Sequence, residues 1–132
     1  MITFKELLSG NTLADIPLGH QLALEKLFAA LNKFRIIYGK PMNVTSGYRT
    51  MQHHLEIYSR KGITDRTKIP MNSKHLSGKA CDFADPSSAL YAYCLENINV
   101  LESCGLWIEA GTVGWVHFQC EPPASGKRVF IP

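Results

Sequence analysis

Hydrophobic positions recur at helical spacing over residues 20–38, where Leu24, Leu27, Phe28, Leu31, Phe34 and Tyr38 fall on one stripe. Gly39 and Pro41 follow directly and punctuate the end of that helix. A short helix is expected over residues 3–8 and another over residues 50–60. Between them, Met42 to Thr45 reads as a strand and Ser46-Gly47-Tyr48-Arg49 as a turn. A polar loop with Gly62 and Pro70 runs from Lys61 to Asn72, long enough to suggest a functional role. Lys79 to Phe83 is a short strand. Asp85-Pro86 predicts a helix start, with an acidic N-cap and proline at the first helical position. Leu90, Cys94, Ile98 and Leu101 supply that helix with its apolar stripe, and Gly105 ends it. Leu106 to Glu109 and Gly114 to Gln119 alternate as two strands joined by a turn around Gly111. The tail from Glu121 to Pro132 is expected to be irregular. Helices and strands do not alternate with the spacing of parallel crossovers. The expected class is therefore α+β, a small antiparallel sheet flanked by helices, in one domain over residues 1–132.

Composition narrows the function classes. Hydrophobic residues make up 45% of the 132, which suits a chain with a real core and no need of disulfide staples. No apolar stretch reaches the roughly 20 residues needed to span a bilayer, and the N-terminus lacks the basic and apolar regions of a signal peptide. The formal charge of +3 would favour approach to an anionic surface. The basic residues form no run and do not interleave with aromatics, so no nucleic-acid partner is indicated. Cys81, Cys94, Cys104 and Cys120 form no C-x-x-C pair, which argues against a cysteine metal site and for buried thiols.

The candidate chemistry lies in His75, Asp82 and His117. Alternation puts Ala80 and Asp82 on one strand face, with Cys81 and Phe83 on the other. It groups Trp115, His117 and Gln119 opposite Val116 and Phe118. His75 precedes the first of these strands, in a turn loosened by Gly78. If the strands are neighbours, two imidazoles and one carboxylate can converge. That set favours zinc over magnesium or calcium and leaves a fourth position open. Taken singly, each residue is as readily a surface or hydrogen-bonding group. His53 and His54 are adjacent on a helix and face different ways, so they read as surface or supporting residues, as does His20. Trp107 and Trp115 read as packing residues, with Trp115 also placed to wall a cleft.

Ser73-x-His75-x-x-Gly78-x-Ala80-x-Asp82, with Ser46-Gly-Tyr-Arg49 before it and Trp115-x-His117 after it, resembles the M15 family of zinc D-Ala-D-Ala carboxypeptidases and related endopeptidases. The small phage and bacterial members are the most similar. The resemblance covers roughly residues 40–120. It implies a fold shared with the Hedgehog signalling domain and the vancomycin-resistance dipeptidases. It also implies His75, Asp82 and His117 as zinc ligands, Arg49 in contact with substrate, and Ser73 beside the metal.

Arg49 could steady a developing oxyanion or clamp a substrate carboxylate, and Tyr48 could pack or line the cleft. Many family members carry an acid three positions before the last ligand histidine, where this chain has Gly114. Glu109, at the end of the preceding strand, is the substitute candidate for general base. The expected function is hydrolysis of peptidoglycan stem peptides at the D-Ala-D-Ala or L-Ala-D-Glu bond. The expected agent is a monomer held in the cytoplasm until it reaches the wall during phage lysis, or carried on a virion. The rival expectation is a zinc-stabilised wall-binding or phage structural module without turnover.

Overall fold

The computed structural model describes residues 1–132. Helix α1 (Phe4–Leu8) is opened by Thr3, whose hydroxyl accepts the Glu6 N–H while the Glu6 carboxylate accepts the Thr3 N–H. Helix α2 (Leu18–Tyr38) follows, and Gly39 closes it in the left-handed conformation at φ 76°. Its fully buried residues are Leu24, Leu27, Leu31 and Phe34, while Phe28 and Tyr38 are half-buried. Then come strand β1 (Val44–Ser46), helix α3 (Met51–Arg60), strand β2 (Ala80–Asp85), helices α4 (Ala89–Glu96) and α5 (Ile98–Cys104), and strands β3 (Trp107–Glu109), β4 (Gly114–Gln119) and β5 (Val129–Phe130). No helix is long and apolar enough to cross a membrane.

The five strands form one sheet in the order β1-β2-β4-β3-β5. The central pair is antiparallel, with Cys81 opposite Phe118, Asp82 opposite His117, and Phe83 opposite Val116. Strand alternation then separates two faces. Cys81, Phe83, Val116 and Phe118 turn inward and are wholly buried. Phe34 from α2 meets Phe118 edge to face at 5.1 Å, and Phe83 meets Phe118 at 5.5 Å. The other face carries Asp82 and His117.

Three details depart from the pattern-based expectations. Helix α4 begins at Ala89 rather than at Asp85-Pro86. Asp85 is instead the last residue of β2, paired with Gly114, because the strand ladder extends through it. Its carboxylate still serves the helix, accepting the N–H groups of Leu90 at 3.0 Å and Tyr91 at 2.9 Å. The expected continuous helix to Gly105 is broken at Asn97 (φ −131°), whose side-chain amide donates to the Tyr93 carbonyl at 2.9 Å. The tail is not wholly irregular: Val129 and Phe130 add a parallel edge strand to β3, so the otherwise antiparallel sheet ends in one parallel pairing.

Candidate metal centre and cleft

Gly47 and Gly78 explain much of how the site is assembled. A Cβ at Gly47 would lie 2.3 Å from the Leu7 carbonyl oxygen, so no larger residue fits between the turn and α1. The approach lets the Tyr48 N–H donate to that same carbonyl at 2.8 Å. Gly78 ends a 3-10 turn, Lys74–Ser77, at φ 77°. A Cβ there would lie 2.7 Å from the His20 carbonyl oxygen. The turn thus sits directly on α2 and feeds into β2 with His75 buried beneath it. The two segments are stitched by the Arg49 N–H, which donates to the His75 carbonyl at 3.0 Å.

The structure brings His75, Asp82 and His117 together, with one donor atom from each lying within 4.8 Å of the others. His75 Nε2 is 3.1 Å, and His117 Nδ1 is 2.9 Å, from the same oxygen, Oδ1 of Asp82. The remaining ring nitrogens have their own partners. His75 Nδ1–H donates to the Gly47 carbonyl at 2.9 Å. His117 Nε2–H donates to the side-chain oxygen of Gln119 at 3.0 Å. Gln119 has no choice of orientation, because its NH2 donates to the Glu121 carbonyl at 2.8 Å. These partners assign the tautomers and aim one lone pair from each imidazole at the Asp82 carboxylate. Three electron-pair donors facing one another require a cation between them, either a proton or a metal ion. Two imidazole nitrogens and one carboxylate oxygen, each ring oriented by an acceptor behind it, suit zinc.

The electrostatics follow from burial and from these contacts. Burial opposes the charge on Asp82, but its close contacts with the His117 and His75 rings, at 2.9 and 3.1 Å, prevail and hold its carboxyl well below the usual carboxylate range. Burial opposes charge on His117 too, yet the Asp82 carboxylate wins and raises its pKa. His75 goes the other way: burial dominates and lowers it.

Around this group lies a cleft of about 720 Å³. Arg49, Ser73, Glu109 and Trp115 line it, as do Lys61, Met71 and Asn72 of the long loop. Arg49 is held from three sides. Its Nε–H donates to Ser46 Oγ at 3.0 Å, Nη1 lies 3.4 Å from His54 Nδ1, and Nη2 lies 3.6 Å from Asp82 Oδ2. Glu109 lies on the ligand-bearing face: alternation along β3 puts it on the same side as Trp107, which pairs with Gln119, and it lines the cleft together with His117 and Gln119. Burial raises the Glu109 carboxyl above its ordinary value. Trp115 is 37% exposed at the rim.

Gly114 sits at φ 83° at the start of β4. An acidic residue there would be strained, so the absence of a carboxylate at that position has a backbone counterpart. Tyr48 does not line the cleft and is corrected as a substrate-contact candidate. It is 5% exposed in the core, with its hydroxyl 3.0 Å from His20 Nδ1, because the Gly47 approach to α1 turns it inward. Trp107 packs beneath the Arg128 guanidinium at 4.1 Å. The four cysteines are buried and unpaired.

Gln119, the Gly47 carbonyl and His54 are site residues that the motifs alone did not single out. Gln119 shares a strand face with His117, and that alternation was the one available signal for it.

A family model described as Peptidase M15 matches residues 2–117. No curated protein and no solved structure matches the chain.

Proposed function

The chain belongs to the peptidase M15 family, and from that premise we propose that it is a zinc-dependent peptidase hydrolysing a bond of the peptidoglycan stem peptide. The observation that carries this reading is the convergence of His75 Nε2, Asp82 Oδ1 and His117 Nδ1 in the floor of an open cleft. Zinc held there by those three atoms would polarise a peptide carbonyl and lower the pKa of a water molecule.

The chain's own residues then divide the remaining work. Gly47 and Gln119 keep the two imidazoles in the tautomers that present lone pairs. Arg49, anchored on Ser46, His54 and Asp82, offers its remaining N–H groups to a substrate carboxylate or to a developing oxyanion. Glu109 accepts the proton of the attacking water and delivers it to the departing amine. Its partly buried setting and raised pKa bring it nearer to a working pH than an exposed carboxylate. Phe130 sits edge-on to the His117 ring at 6.2 Å and shields that side from solvent. Ser73 and Trp115 contribute wall surface for the peptide.

We assign the scissile bond to the terminal D-Ala-D-Ala or the L-Ala-D-Glu link. The biological setting we propose is wall degradation in phage lysis, by a monomer that is cytoplasmic until it gains access to the wall. The test is incubation of zinc-loaded protein with purified walls, followed by mass spectrometry of the muropeptides. New amine ends at one of those two bonds, absent from a chelated control, are expected. Walls left intact at both bonds would reject the reading.

A second reading is favoured by Gly114, which leaves no carboxylate three residues before His117. Under it, the protein is a zinc-stabilised wall-binding or phage structural module. Retained wall affinity with no hydrolysis, in both wild type and Glu109→Gln, is its signature.

A further inference from the structure

Beside the cleft, His54 is fully buried, though its neighbour His53 on the same helix is exposed. It touches three parts of the cleft at once. His54 Nε2–H donates to the Pro70 carbonyl at 2.9 Å, in the long loop. That fixes the tautomer, so Nδ1 carries the lone pair and accepts from Arg49 Nη1 at 3.4 Å. Its ring meets Tyr58 edge to face at 5.1 Å, and Pro70 and Tyr58 both line the cleft. Burial lowers the His54 pKa, which agrees with a neutral imidazole able to accept from a guanidinium. An imidazole with both nitrogens engaged and no exposure is a costly way to fill space, since an apolar side chain would need no partners.

We propose that His54 is a positioning residue, holding the Arg49 guanidinium and the Pro70 edge of the loop in the arrangement that receives the substrate. The proposal rests on the reading of the cleft as a peptidase site. Of the five N–H groups of Arg49, the Nε–H is fixed by Ser46, but the rigid planar group can still tilt about that one contact unless its terminal nitrogens are tethered. Asp82 tethers one at 3.6 Å and His54 the other. Losing the His54 tether frees the group that meets the substrate, without removing a donor from the metal.

The experiment is a double-mutant cycle on zinc-loaded protein, with kcat and KM measured on a stem peptide. His54→Phe keeps ring bulk against Tyr58 and removes both nitrogens. It should lower kcat/KM by about tenfold to a hundredfold, with zinc content unchanged. His54→Asn, which retains an acceptor and a donor, should recover part of the loss. In an Arg49→Ala background the His54 change should cost nothing further. An undiminished kcat/KM, or an equal loss with and without Arg49, would overturn the proposal. If His54→Phe does not fold, His54→Asn is carried through the same cycle with a smaller expected loss and the same overturning results. The Arg49 Nε–H resonance in a nitrogen-proton spectrum is read in parallel. It should shift or broaden in the His54 variants, and an unmoved signal counts against the link. This readout needs no turnover. Should the wild type cleave no stem peptide, the peptidase reading fails by itself and the resonance still decides the role of His54.

Discussion

The side-chain oxygen of Gln119 accepts the Nε2–H of His117 at 3.0 Å, and that single contact dictates which imidazole nitrogen faces Asp82. Gln119 is itself fixed by its 2.8 Å bond to the Glu121 carbonyl and is only 3% exposed. Replacing it with leucine would remove the acceptor while keeping similar bulk. Zinc affinity of Gln119→Leu, measured by competition with a chromogenic chelator, should fall by about tenfold to a hundredfold. Unchanged affinity would show that the ring is oriented by packing alone.

A proton and a metal ion compete for the space between His117 Nδ1 and Asp82 Oδ1. Because Asp82 raises the His117 pKa despite burial, the protonated ring persists to higher pH than in a free histidine. Zinc binding must displace that proton. Calorimetry in buffers of different ionisation enthalpy should show proton release on binding, increasing as pH falls through the neutral range, with affinity declining in parallel. Binding without proton release at any pH would contradict a His117 ring held protonated by Asp82. Treatment with a chelator should abolish hydrolysis, and added zinc should restore it.

Stability of the chelated protein should respond to the same pair in both directions. The depressed Asp82 pKa contributes stability above its unfolded value of about 3.9, and this is lost as pH falls below that. The raised His117 pKa contributes stability that is full below about 6.5 and is lost as pH rises through the folded value. The gap between the urea midpoints of the wild type and His117→Ala should therefore be widest between those limits and narrow towards both ends of the pH range, down to the pH-independent cost of the lost ring packing. A constant difference across that range would argue against the coupling.

Glu109→Gln should retain fold and zinc while losing about a hundredfold to ten-thousandfold in kcat. In the wild type, kcat/KM should fall on the acid side with a pKa above the ordinary carboxylate value, because burial raises the Glu109 carboxyl and the base must be ionised. Full activity in the glutamine variant would remove Glu109 from the mechanism.

Gly47→Ala tests the assembly rather than the chemistry. Its Cβ would be 2.3 Å from a backbone oxygen of Leu7, which cannot be relieved by rotating a side chain. Overpacking of that kind costs about 1–3 kcal/mol, visible as a lower urea midpoint. Displacement of the Gly47 carbonyl from His75 should also weaken zinc binding. A variant as stable as the wild type would mean that α1 can move aside.

Much of the architecture was legible in the chain because it depends on short-range regularities. The stripe of Leu24, Leu27, Leu31 and Phe34 follows from the helical repeat. The separation of Asp82 and His117 from Cys81, Phe83, Val116 and Phe118 follows from strand alternation. His75, Asp82 and His117 could be named together from their spacing and motif context, and His53 and His54 could be given different directions from the helix pitch alone. Tertiary structure decided what depends on partners distant along the chain. Tyr48 faces His20 across 28 positions, His54 meets Pro70 across 16, and Phe130 joins β3 only after the tail folds back. The helix start moved from Asp85 to Ala89 because a strand ladder claimed Asp85. Local pattern sets which way a side chain leaves the backbone; only packing of the whole core sets what it finds there.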